Sequence, residues 1–97
     1  MECEIDGSVI MNEDDFHREI ARAIGFGEYY GNNLDALWDT LSADVERPVL
    51  LTWKNSDMSK GRLGDTFDKI INILKQVKSQ DERWGLINRF DFVLREQ

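Results

Sequence analysis

An α/β fold, with a small three-stranded parallel sheet and helices packed on it, is predicted by three features of the sequence. Residues 1–6, 49–53 and 90–94 have the length and apolar content of short strands. The segments between them place apolar residues at helical spacing. Strands separated by helical crossovers pair in parallel, because a tight hairpin reverses the chain direction and a crossover restores it. Residues 1–97 make a single domain, with about 60–65% of the unfolded surface buried on folding. No internal repeat, low-complexity tract or linker divides it.

The elements follow in order. Met1-Glu2-Cys3-Glu4-Ile5-Asp6 alternates loosely and Gly7 ends it, so Cys3 is expected on a buried strand. Asn12 can cap a helix over 13–24, with Glu13, Asp14 and Asp15 at the positive end of its dipole. Phe16, Ile20, Ala23 and Ile24 form its apolar stripe, and Gly25 and Gly27 stop it. Gly31 and Asn32 supply a turn, since both tolerate positive φ. Asn33 then caps a second helix whose Leu34, Leu37 and Leu41 fall at i, i+3 and i+7.

Pro48 leads into Val49-Leu50-Leu51-Thr52-Trp53, a near-continuous apolar run that suits a strand covered on both faces. Residues 55–64 are polar and glycine-punctuated, with one helical turn expected near Met58. Asp65 can cap a long helix with the stripe Phe67, Ile70, Ile71, Leu74 and Val77, and with Lys69, Lys75 and Lys78 on its polar side. Ser79 to Arg83 is expected to end that helix as a loop. Trp84 is expected to pack into the core from the segment 84–88, and Phe90-Asp91-Phe92-Val93-Leu94 to form the last strand.

Nineteen acidic residues against twelve basic ones give a net charge of −7. Free nucleic acid and anionic membranes are therefore poor partners, and a basic protein is a good one. Opposite potentials speed encounter, an effect that fades with salt. A single cysteine excludes an intramolecular disulfide and a cysteine-based metal site. The acidic N-terminus lacks the apolar region of a signal peptide, and no apolar run approaches membrane-spanning length, so a cytoplasmic protein is expected.

The segment Tyr29-Tyr30-Gly31-Asn32-Asn33-Leu34-Asp35-Ala36-Leu37-Trp38-Asp39-Thr40-Leu41 carries the functional signal. At roughly 100° per residue the leucines face inward while Asp35 and Asp39 stack outward. Ser42 continues their row and Trp38 stands on its border. Like charges at i, i+4 cost about 0.2–0.5 kcal/mol on an exposed helix. Asp35 regains part of this from the helix dipole, whereas Asp39 lies beyond the first turn. Tyrosine and tryptophan beside aligned charges are rigid, amphipathic and large, the composition of a binding hot spot. The segment reads as a recognition surface for a basic partner.

The block Tyr-Tyr-Gly-Asn-Asn-Leu-Asp-Ala-Leu-Trp-Asp at 29–39 resembles the signature of barstar-like ribonuclease inhibitors. The similarity extends to the Gly7 turn, His17, Val45-Glu46-Arg47-Pro48 and Trp53, and it weakens from Ser79 onward. The resemblance implies the three-stranded parallel fold and the inhibition of a small basic ribonuclease in a one-to-one complex. That nuclease would be the cell's own secreted enzyme or a toxin delivered by a competitor. By the same resemblance, Asp39 would lie deepest in the nuclease site, standing in for a substrate phosphate among arginines. Asp35 would pair with a further basic group and Tyr29 would pack on a catalytic histidine. Asn33, Leu34 and Trp38 would fill the contact, and Gly31, Ser42, Asp44 and Gln76 complete the candidate surface. Gln76 stands where the best-known member has a glutamate and Asp44 where it has a tryptophan, which implies a related but different nuclease.

Three other readings compete. Asp35 and Asp39 could form a general acid/base pair, but no nucleophile arrangement or glycine-rich phosphate loop accompanies them, so no catalysis and no cofactor is expected. As hard oxygen ligands they lack a calcium-loop spacing, and His17 reads as a packed or half-exposed helix residue, so no metal is expected. A non-inhibitory interaction or regulatory domain on the same fold is the main alternative, because fold alone does not fix function.

Overall fold

The computed structural model, which describes residues 1–97, has the sheet order β1-β2-β3 with both pairings parallel. β1 spans Glu2–Asp6, β2 Val49–Lys54 and β3 Phe90–Leu94. The first crossover contains α1 (Glu13–Ile24) and α2 (Leu34–Asp39), and the second contains α3 (Ser56–Leu63) and α4 (Asp65–Arg83). A 3-10 turn at Gly7–Val9 follows β1, and a π-helical turn at Thr40–Asp44 extends α2. No helix is long and apolar enough to cross a membrane.

Register explains where the core sits. Cys3 lies opposite Leu51 and Ile5 opposite Trp53, while Val49 and Leu51 lie opposite Phe90 and Phe92. Side chains alternate across a strand, so these residues share one face. The helices cover that face alone. Val49, Leu51 and Trp53 are buried, whereas Leu50, Thr52 and Lys54 on the reverse are only partly covered. The expectation of a strand covered on both faces is thus corrected: a short sheet with Glu4 and Lys54 on its outer side needs only one helical layer. Cys3 is half-buried on the edge strand, its thiol directed to the Leu50 carbonyl and pushed above its ordinary pKa by burial.

Trp53 is the hub of the core. Its ring stacks on Phe16 at 5.1 Å, meets Phe67 at 5.2 Å, and its indole N–H donates to Ser59 Oγ at 3.0 Å. Gly7 permits the corner after β1, since a Cβ there would sit 2.2 Å from the Asn55 carbonyl oxygen. Asn55 in turn donates to Asp6 at 2.8 Å, a bond that holds the Asp6 carboxyl below its ordinary pKa.

Asp65 is the first residue of α4 rather than its cap, a position taken by Gly64 with no side-chain bond to the helix end, and three segments also depart from expectation. Residues 56–63 form a complete helix rather than one turn near Met58. Its buried residues are Ser56 and Ser59, so no apolar periodicity announces it. Ser79 to Arg83 is helical rather than a loop, because Gln80 and Asp81 are buried against the rest of the fold. Trp84 is 67% exposed instead of packed in the core. Phe90 and the Asp81 side chain fill that end of the interior, and the indole is left outside where the helix closes.

Candidate functional site

The site begins with a loop closed on itself. Asn33 accepts from the Ala36 amide at 2.8 Å as the N-cap of α2, and its amide donates back to the Gly31 carbonyl at 3.1 Å. Asn32 takes φ +52°, the left-handed conformation, so the turn residue with positive φ is Asn32 alone. Gly31 serves a different need from the one expected. A Cβ there would lie 3.2 Å from Asn33 Nδ2 and 3.3 Å from the Ala36 side chain, so glycine lets the loop fold onto the cap.

The helix that follows is short and widened at its end. Leu37 and Leu41 are fully buried and Leu34 partly so, which turns Asp35 and Asp39 outward. The Val45 amide donates to the Thr40 carbonyl at 3.2 Å, the i to i+5 bond of a π turn. Ser42 therefore follows the acid row through a widened turn, half-buried, with its hydroxyl directed at the Asp39 carbonyl at 3.4 Å. Asp35, Asp39 and Asp44 are exposed and enter no ion pair of the chain. Tyr29 is 92% exposed and Trp38 half-buried.

Two buried polar knots hold this surface from behind. His17 is fully buried, with Nε2 3.0 Å from a Glu13 carboxylate oxygen and Nδ1 2.7 Å from the Tyr30 hydroxyl. A carboxylate only accepts, so Nε2 carries a proton, and in the neutral ring Nδ1 accepts from Tyr30. Burial, with Glu13 adding to it, pushes the Tyr30 phenol well above its ordinary pKa. The Tyr30 ring also packs on Phe26 at 4.7 Å, so the residue beside exposed Tyr29 is fastened to α1.

The second knot is Arg47 on Asp81. The guanidinium donates to both carboxylate oxygens, at 2.9 and 3.1 Å, and to the Leu41 and Val45 carbonyls at 2.7 Å each. Asp81 also accepts from the Phe90 amide at 2.8 Å. Burial by itself would raise the Asp81 carboxyl, but the Arg47 and Phe90 hydrogen bonds outweigh it and hold the group below its usual range. One buried ion pair thus ties the π turn, the approach to β2, the end of α4 and the start of β3.

Two grooves flank α2. One, of about 440 Å³, has Phe26, Tyr29 and Tyr30 in its lining on the loop side and Thr40, Asp44 and Glu46 on the other. Met1 also lines this groove, its terminal ammonium donating to the Pro48 carbonyl at 2.7 Å, so the two carboxylates share the groove with a cation of the chain. The other groove is lined by Trp38 and α4 residues, Gln76 among them. No group of three or more His, Cys, Asp or Glu side chains is placed to hold a metal ion.

The sequence that builds this site has counterparts among known proteins. Residues 1–92 match the family described as Barstar (barnase inhibitor). The chain belongs to the barstar family. It is also 34% identical over 76 residues to a Bacillus subtilis (strain 168) protein described as "Putative ribonuclease inhibitor YrdF", covering 78% of this chain and 84% of that one.

In this barstar-family chain Tyr29, Gly31, Asn33, Asp35, Asp39 and Asp44 are exposed, and Leu34, Trp38 and Ser42 are half-buried. Gln76 joins them only through the fold, across the groove from Trp38. Sequence reasoning missed Tyr30, His17 and the Arg47–Asp81 pair as supports. Tyr30 and Arg47 lie in the quoted motifs, but their buried partners lie 13 and 34 residues away and carry no local signal.

Proposed function

We propose that this chain is a protein inhibitor of a small basic ribonuclease, which it blocks one-to-one by seating α2 and the loop before it in the nuclease active site. The observation that carries the reading is the row of Asp35 and Asp39, exposed and unpaired on a helix whose other face is locked into the core. An RNA-cleaving site is cationic so that it can hold phosphate. Rigid carboxylates occupy such a site without offering a cleavable bond, and arginine–carboxylate pairs are charge-assisted and often bidentate. Tyr29 and Trp38 add apolar contact around that charge. Membership of a family described as barnase inhibitors, and the relative from Bacillus subtilis, support the same reading.

In this role the chain is an immunity-type protein of the cytoplasm, acting on a nuclease destined for, or arriving from, outside the cell. The chain itself catalyses nothing. The test is titration of a panel of small basic ribonucleases, barnase among them, with wild-type protein while RNA cleavage is followed. Stoichiometric loss of cleavage, abolished or strongly weakened by Asp39→Ala, is the expected result. A chain that leaves cleavage unchanged yet binds a partner without nuclease activity through Asp35 and Asp39 would be a regulatory domain instead.

A further inference from the structure

Beside the acid row the surface changes sign. The groove of about 370 Å³ between α2 and α4 is lined by Trp38, Lys75, Gln76, Ser79 and Arg83. Lys75, Ser79 and Arg83 lie at i, i+4 and i+8 of α4 and form one row. This lining holds two cations and no carboxylate, on a chain of net charge −7. Neither Lys75 nor Arg83 enters an ion pair, whereas Lys78 on the same helix is paired with Asp91 at 3.0 Å. Ammonium, guanidinium and indole N–H groups donate and do not accept, and the glutamine amide and serine hydroxyl supply further donors. A wall of donors with two positive charges fits a group that only accepts and is negative.

We infer that this groove is a specificity-determining edge of the interface, and that it receives an aspartate or glutamate side chain from the rim of the nuclease active site. The inference rests on the inhibitor reading above. Trp38 borders the acid row and lines the groove, so a protein seated on Asp35 and Asp39 reaches the groove without a gap. A nucleic-acid phosphate offers the same negative charge, but a polyanion would also meet Asp35, Asp39 and Asp44. A protein that is basic at its centre and acidic at its rim matches both regions. Nucleases with a cation opposite α4 would meet like charge there, which discriminates against them.

The experiment uses a catalytically inactive form of a small basic ribonuclease that the chain inhibits, and a set of its variants in which each exposed residue around the active site is changed singly to glutamate. Dissociation constants are measured against the wild-type chain, Lys75→Glu/Arg83→Glu, and the control Lys60→Glu/Arg95→Glu. The control makes the same change in net charge at the C-terminal end of the sheet, where α3 begins and β3 ends. At least one glutamate variant is expected to bind the wild-type chain about fivefold more tightly than its parent. That preference should vanish in Lys75→Glu/Arg83→Glu and persist in the control. The inference is overturned if no glutamate variant gains, if the gain survives reversal of the groove, or if the control loses it equally. Loss of the inhibitor reading looks different: no ribonuclease of the panel is inhibited, or the parent binds as well to Asp39→Ala as to wild type.

Discussion

Asp39 on α2 and Asp81 on α4 belong to helices in contact, yet their carboxylates live in opposite surroundings. Asp81 is 1% exposed and accepts from a guanidinium and a backbone amide. Asp39 is open to solvent, one turn from Asp35, with no cation of the chain on it. The first arrangement satisfies a charge inside the molecule, and the second leaves a charge for something outside it. Folding alone gives no reason to align Asp35 and Asp39, because their repulsion opposes the helix. The difference separates the scaffold of the site from its working face.

Breaking the scaffold should have the largest effect. Asp81→Ala strands Arg47 without its carboxylate and should lower unfolding free energy by about 3–5 kcal/mol, read by urea denaturation. Acid provides a second handle on the same group. The folded Asp81 pKa lies below the ordinary 3.8. Its contribution is therefore fully present above about that pH and is lost as pH falls through the folded value. An Asp81→Asn variant should show a shallower loss of stability below that pH than wild type, followed by circular dichroism.

On the working face the sign of the effect separates binding from folding. Asp39→Ala should weaken nuclease binding by about 2 kcal/mol or more, roughly thirtyfold in Kd, measured by inhibition titration. Its stability should be unchanged or higher by about 0.2–0.5 kcal/mol as the repulsion with Asp35 is relieved. Asp44→Ala should cost much less affinity. A loss of folded signal in the Asp39 variant would show that the two kinds of carboxylate are not separate.

Smaller changes sharpen the boundary between the two regions. Tyr30→Phe leaves buried His17 Nδ1 without its partner and should cost about 1–3 kcal/mol of stability in thermal or urea unfolding. Tyr29→Phe, next to it but exposed, should leave stability within about 0.5 kcal/mol of wild type. Asn33→Ala removes the cap of α2 and should cost about 1 kcal/mol, with loss of hydrogen-exchange protection at the Ala36 amide as its signature.

Local chemistry made much of this molecule legible. Asn12 and Asn33 are N-caps, both confirmed by side-chain bonds to the amide three residues on, and Gly25 ends α1 at φ +89°. The stripes of α1 and α4 fall on the core as their spacing requires. The outward row of Asp35 and Asp39 was legible because one short helix fixes which side chains turn outward. α3 was not, since its buried positions are serines whose burial depends on Trp53 and the Arg95 carbonyl, partners on β2 and after β3. Nor was the helical end of α4, which depends on Asp81 meeting Arg47.

The sequence by itself determined the succession of the strands and of every helix but α3, and the orientation of the acid row, because each rests on residues within a few turns of one another. Tertiary structure alone decided that the sheet is covered on one face, that Trp84 stays outside, and that Gln76, Lys75 and Arg83 stand beside Trp38. It also decided that Arg47 and Asp81 meet across 34 residues. Those outcomes depend on competition for a limited interior and on pairings distant in the chain. Neither leaves a periodic trace in the sequence.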